Sequence, residues 1–247
     1  MEFLRDREAF SQLANKAGLI TRDNWYEIDN RSDDDEAIIY VYSEIGYFGA
    51  TAEEFVTELK DITAPKITVR INSLGGSVFE TIGIFNALRQ HPAKITTQVD
   101  AVAASAASVI VQAGDNRVML DNSEMMIHEA HGIAIGATAA DMREMADILD
   151  NQTIKVAEIY AKRKGDGRTK GHFLALMRAG ASNMGTWFSA KETVSEGLAD
   201  EVVTPKTKTD NTVEEPAETS TTPTDFTVLF NTDPEDFEWS TPKETLV

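Results

Sequence analysis

Twice in this chain a β-branched run of strand length is followed, within ten residues, by the pattern Ser/Thr-x-x-Glu. AIIYVY (37–42) precedes Thr51-Ala52-Glu53-Glu54, and KITVRI (66–71) precedes Ser77-Val78-Phe79-Glu80. Such runs favour extended backbone, whereas the capping box marks a helix start, because each side chain satisfies a backbone N–H that the first turn leaves free. Strands that alternate with helices cannot pair through tight hairpins. They fold as crossover units around a mainly parallel sheet. The pattern continues with the strand ITTQV (95–99), a small-residue helix within AASAASVIVQAG (103–114) closed by Gly114, and the strands RVML (117–120) and EMMIH (124–128). A long helix follows from Thr138 to Lys164, ending at Gly165. A third capping box, Ser189 to Glu192, leads through Gly197 to the strand DEVV (200–203). The expected class is α/β.

Composition narrows the setting. The 247 residues carry 41 acidic and 23 basic side chains, a net charge of −18, which repels nucleic-acid phosphates. There is no cysteine, which excludes disulfides, thiolate metal sites and a cysteine nucleophile together. The first ten residues, MEFLRDREAF, lack the apolar stretch of a secretory signal, and no apolar run has the roughly 20 residues that span a bilayer. A cytoplasmic protein without membrane contact is expected, in the host cytoplasm if the chain is phage-encoded. Residues 1–30 read as a peripheral arm and 31–204 as the folded domain. Residues 205–247 hold five of the seven prolines and ten acidic against three basic side chains, and read as an acidic, Pro/Thr-rich tail. The tail's aromatic end, Phe226 to Trp239, suits either docking or mere decoration.

Three segments between the strands and helices carry possible chemistry. Asn72-Ser73-Leu74-Gly75-Gly76 lies between a strand and a capped helix, where paired glycines let a backbone approach a ligand and expose N–H groups. It lacks the Gly-Lys-Ser/Thr ending of a phosphate loop, and, taken alone, a turn that merely needs glycine is the better explanation. In Ala103-Ala104-Ser105-Ala106-Ala107-Ser108, Ser105 stands at a strand-to-helix junction, suited to a nucleophile or to a plain helix cap. Met125-Met126-Ile127-His128 ends a buried strand in a histidine, with His131 close by as a rival base, while His91 and His172 read as loop or surface residues. A lone histidine at a strand end is commonly structural.

In order and spacing, INSLGG, AVAASAAS, MMIHEAHG and Gly197-Leu198-Ala199-Asp200 resemble the Clp protease proteolytic subunits, the ClpP family. The resemblance covers about residues 24–204. EIGYFG, AGDNRVM, YAKRKG and TWFSAKE are similar to its phage-type branch, the ClpP-related head maturation proteases. It implies a ClpP/crotonase-like fold of repeated ββα units and a serine endopeptidase that uses no cofactor and no metal. Ser105 would be the nucleophile, His128 the base, and the backbone N–H groups of Gly76 and Ala106 the oxyanion hole. It also implies a homo-oligomeric ring acting on protein or peptide substrates, with capsid or scaffold proteins as the phage-type targets. The long helix would contribute to subunit contacts, or its apolar face would simply pack on its own sheet. Crotonases share the fold but act on coenzyme A thioesters, and the Ser–His pair fits a peptidase better.

Two departures stand out. Leu74 replaces the family's proline. The family's triad acid falls on Gly185, which leaves the third member open: Asn183 as an amide orienter, a Ser–His dyad, or an acid from elsewhere. The alternative is a weak or inactive shell protein that keeps the fold. On this reading, Gly185→Asp or Gly185→Glu would raise activity.

Overall fold

The computed structural model describes residues 25–29, 35–46, 50–162, 167–180 and 184–205. The expected tail and the end of the long helix at Gly165 lie outside the described residues. Among the described residues eight strands and six helices follow one another as β1 (Tyr26–Asp29), β2 (Glu36–Val41), α1 (Ala52–Lys60), β3 (Lys66–Ser73), α2 (Val78–Gln90), β4 (Lys94–Ala104), α3 (Ala106–Val111), β5 (Asn116–Leu120), β6 (Glu124–Ile127), α4 (Ala139–Lys162), α5 (Lys170–Met177), β7 (Thr186–Ser189), α6 (Ala190–Ser195) and β8 (Glu201–Val203).

Among the described residues the strands form one sheet in the order β1-β2-β3-β4-β5-β8, with β6 and β7 continuing from β4. All pairings are parallel except β1 with β2 and β6 with β7. The chain is thus an α/β protein built on a mainly parallel sheet, as the alternating pattern requires. Ile67, Val69 and Ile71 of β3 and Ile95, Thr97 and Val99 of β4 are buried on one face with Phe55, Leu59, Ile84 and Leu88 of α1 and α2. The opposite face differs from an ordinary parallel sheet. It presents half-buried Tyr40 and Tyr42, and an ion pair between Arg70 and Asp100 at 2.9 Å to which Gln98 also donates.

Local signals are realised with two changes. Thr51–Glu54 and Ser189–Glu192 form complete capping boxes. At the second site only half of the box forms. Ser77 accepts from the Glu80 N–H, but the Glu80 carboxylate accepts from the Ala52 N–H at 2.6 Å and so ties α2 to the start of α1. Gly114 follows α3 for a different reason than helix termination: a Cβ there would lie 2.4 Å from Thr97 Oγ1. The described part of the expected N-terminal arm is not peripheral. Tyr26–Asp29 is an antiparallel edge strand, and Trp25 and Tyr26 bury their rings against Phe55.

Two halves of α4 have different fates. Its C-terminal half buries Thr153, Val156, Ala157 and Tyr160 against the body. The N-terminal half is largely exposed, with Met142 at 53%. Only the later turns are buried, and the partners they meet are Ser108 of α3 and Phe173 of α5, so the expectation that the whole apolar face packs on its own sheet is not met.

Gly-Leu-Ala-Asp has a structural role. Leu198 and Ala199 are buried, and Asp200 pairs with the buried Arg117 guanidinium at 2.6 Å. Arg117 also donates to Gln112 Oε1 and the Gly197 carbonyl, so its charge and hydrogen bonds are satisfied in the interior.

Candidate active site

The length of β4 decides which residues meet. Its first half pairs with β5, and its last three residues pair with β6 in the register Val102↔Glu124, Ala103↔Met125 and Ala104↔Met126. Parallel strands in step deliver their next residues to the same end of the sheet. Ser105 therefore leaves β4 beside the point where His128 leaves β6, although 23 positions separate them in sequence. The Ser105 N–H donates to the Met126 carbonyl at 2.8 Å, which fixes that junction.

Ser105 has φ 54° and ψ −124°, and no other described non-glycine residue has positive φ. Such a conformation costs on the order of 1–3 kcal/mol and persists only where the surroundings enforce it. It caps nothing with its side chain, which disposes of the plain helix-cap alternative. The turn instead aims the hydroxyl outward from the strand-to-helix junction, where His128 Nε2 lies 2.6 Å from Oγ. Burial, and then the positive charge of His131, hold the His128 imidazole below its usual range. A neutral ring at neutral pH follows, with Nε2 free to accept the hydroxyl proton.

The glycine turn closes over this junction. A Cβ on Gly75 would stand 2.7 Å from the Ala104 carbonyl and 2.9 Å from the Ala106 nitrogen. Gly76, at φ 150°, is pressed against Ile45, whose carbonyl would lie 2.2 Å from an added Cβ. Ile45 N–H donates to the Gly75 carbonyl and its own carbonyl accepts from Ser77 N–H, both at 2.8 Å, so the turn is locked to the chain after β2. Within the described residues, neither the Gly76 nor the Ala106 N–H has a protein acceptor. Two backbone donors thus stand without a protein acceptor in the two segments that meet beside Ser105. Leu74, in place of the family's proline, is 72% exposed and supplies no polar atom.

The His128 imidazole is less fully supported. Among the described residues nothing accepts a hydrogen bond from His128 Nδ1. The adjacent Glu129 carboxylate is committed to Arg178 at 2.7 Å. Asn183, the candidate third member, lies outside the described residues. Gly185 does reach His128, but the expectation that a carboxylate there would restore a triad fails on space. With φ +83°, a Cβ on Gly185 would stand 2.1 Å from the Ile127 carbonyl and 2.5 Å from His128 Cβ. Backbone fills the place where an acid would sit.

The remaining histidines separate clearly. His131, the rival base, packs edge-on to His128 with ring centroids 4.3 Å apart, while the hydrogen bond to Ser105 is made by His128. His91 caps α2 and accepts from the Ala93 N–H, and His172 pairs with Glu196 at 2.9 Å. The sequence reading missed β7, whose four residues Thr186–Ser189 add antiparallel to β6 and flank the base strand. TWFS is a short β-prone run, and that signal was available. Trp187 and Met184 remain exposed there. No group of three or more metal-ligating side chains occurs among the described residues.

Comparison with known proteins places these features in a family context. The family model described as Clp protease matches residues 21–206. The chain is 32% identical over 176 residues to the ATP-dependent Clp protease proteolytic subunit of Leuconostoc citreum (strain KM20), covering 68% of this chain and 84% of that protein. It is 32% identical over 160 residues to the ATP-dependent Clp protease proteolytic subunit 3 of Rhodococcus jostii (strain RHA1), covering 62% and 75%. Identity to the proteolytic subunit 1 of Leifsonia xyli subsp. xyli (strain CTCB07) is 27% over 173 residues, covering 68% and 83%.

Proposed function

Because the chain belongs to the Clp protease family, we propose that it is a serine endopeptidase with Ser105 as nucleophile and His128 as general base. The observation that carries this reading is the 2.6 Å contact between Ser105 Oγ and His128 Nε2 at a strained strand-to-helix turn. Ser105 Oγ attacks the scissile carbonyl carbon as its proton passes to Nε2. The carbonyl oxygen becomes an oxyanion, received by the Gly76 and Ala106 N–H groups. Collapse breaks the C–N bond, and Nε2 returns the proton to the departing amine. Water then hydrolyses the acyl-Ser105 ester with His128 again taking a proton. No step needs a metal or a cofactor.

The same reading assigns protein or peptide substrates and a homo-oligomeric ring, as expected of the family. The head-maturation role, with capsid or scaffold proteins as substrates, rests on the phage-type motifs EIGYFG, AGDNRVM, YAKRKG and TWFSAKE. A second reading, a catalytically weak shell protein of the same fold, draws on the missing acceptor for His128 Nδ1 among the described residues. Turnover of an unstructured peptide by the full chain decides between them, with Ser105→Ala as the blank. Hydrolysis above that blank supports the peptidase. Equal rates in the two support the shell protein.

A further inference from the structure

Helix α4 hydrogen-bonds, through two buried hydroxyls, to residues two or three positions beyond each member of the reacting pair. Thr153 and Tyr160 stand seven residues apart, two helical turns, and so share one face. Thr153 Oγ1 accepts from the Ala130 N–H at 2.9 Å, two residues beyond His128. Tyr160 lies 2.8 Å from Ser108 Oγ, and Ser108 in turn hydrogen-bonds to the Ser105 carbonyl. Proton bookkeeping fixes the direction of this chain. The Ser105 carbonyl can only accept, so Ser108 donates to it, and Tyr160 must then donate to Ser108 Oγ. Burial pushes the Tyr160 phenol well above its ordinary range, which keeps it a donor.

We propose that α4 is a splint for the active site, in which Thr153, Tyr160 and Ser108 are positioning residues that hold Ser105 and His128 in register. This rests on the peptidase reading above. Three features favour it over simple packing. Ser105 stands in a conformation that must be enforced, and the Tyr160–Ser108 chain ends on its own carbonyl. Among the described residues the segment after His128 has few anchors: Arg178 holds Glu129, Thr153 holds Ala130, and a Cβ on Gly132 would lie 3.3 Å from Met145 and Leu149 of the same helix. His128 also lacks an acceptor at Nδ1 among the described residues, so the backbone around it carries the task of orientation. Misplacement of a reacting group by about 1 Å costs on the order of 100-fold in rate, which is the lever such a splint would hold.

The test is the second-order rate at which a fluorophosphonate acylates Ser105 in the full chain, read together with the thermal midpoint. Thr153→Val removes the acceptor at nearly constant shape, and Thr153→Ser keeps it. Tyr160→Phe keeps the ring on Phe173 and removes only the hydroxyl, and pairing it with Ser108→Ala leaves no orphaned group. Thr153→Val and the double variant Ser108→Ala/Tyr160→Phe are each expected to label about tenfold more slowly, and their combination about 100-fold. Thr153→Ser should keep the original rate, whereas in Thr153→Val and in the double variant peptide kcat should fall with KM unchanged. Should the double variant not fold, Tyr160→Phe alone carries the test, with about a threefold loss expected. Labelling at the original rate in folded variants overturns the splint. So does an equal loss in Thr153→Ser and Thr153→Val. If the original chain itself is not labelled at Ser105, the peptidase reading falls first and the splint with it.

Discussion

The two halves of the candidate site are built to different standards. Ser105 is held at both of its own backbone groups: its N–H donates to the Met126 carbonyl, and its carbonyl accepts from the N–H and the hydroxyl of Ser108. Among the described residues, the His128 ring is held by one hydrogen bond, to Ser105, and packs against His131 and Gly185. The nucleophile's geometry is therefore a property of the fold, whereas that of the base depends on close packing. Substitutions that leave the fold intact should reveal this asymmetry, with the base side the more easily disturbed.

The largest effects test whether the two halves act as one unit. Ser105→Ala and His128→Ala should each abolish peptide turnover, with losses on the order of 10⁴- to 10⁶-fold, because groups that act together are lost together. Initial rates on an unstructured peptide check this. A His128→Ala variant within tenfold of the original would mean that the halves are uncoupled.

Gly76→Ala probes the proposed oxyanion donors. Its Cβ would collide with Ile45 and displace the Gly76 N–H, and loss of one such donor costs about 10²–10³-fold in kcat. A kcat within threefold of the original, in a folded variant, would move the donor elsewhere.

On the base side, Gly185→Asp should lower both turnover and the thermal midpoint, since its Cβ has backbone 2.1 Å away and its φ is +83°. This reverses the expectation drawn from the sequence alone. A rise in peptide turnover would show that the loop can yield to admit a carboxylate.

The smallest expected effect concerns pH. A histidine acts as a base only when neutral, and burial, followed by repulsion from His131, lowers the His128 pKa. On the proposed reading, kcat/KM should therefore climb with pH along an acid limb that lies below the ordinary histidine range. His131→Asn removes a positive neighbour, so the folded-state pKa rises and the acid limb should move towards neutrality. Burial is the larger cause, so only part of the lowering should be relieved. A pH profile of kcat/KM for both chains reads this directly, and an unmoved limb would exclude His131 as an influence on the base.

Much of this was legible in the residues, for identifiable reasons. β-branched runs and Ser/Thr-x-x-Glu boxes are local signals, so β2, β3, α1 and α6 could be read from neighbours alone. The meeting of Ser105 and His128 followed from two motifs in a familiar order, although its physical cause, the register of β4 with β6, is long-range. Glu80 shows the limit of local reasoning, since its carboxylate caps the neighbouring helix rather than its own. Gly185 shows another limit: position against a family pattern found the right neighbourhood, but only tertiary contact shows that backbone already occupies the space. Tyr26 was hidden for the opposite reason, because four residues at a sheet edge give too short a pattern to stand out.

The central claim is that Ser105 is a nucleophile activated by His128. Mass spectrometry of the chain after fluorophosphonate treatment tests it most directly, mapped to the modified peptide in the original chain, in Ser105→Ala and in His128→Ala. The account predicts one adduct, on Ser105, absent from Ser105→Ala and formed at least about 10³-fold more slowly in His128→Ala. An unmodified Ser105 in the folded original chain, or an adduct that survives Ser105→Ala, would contradict it.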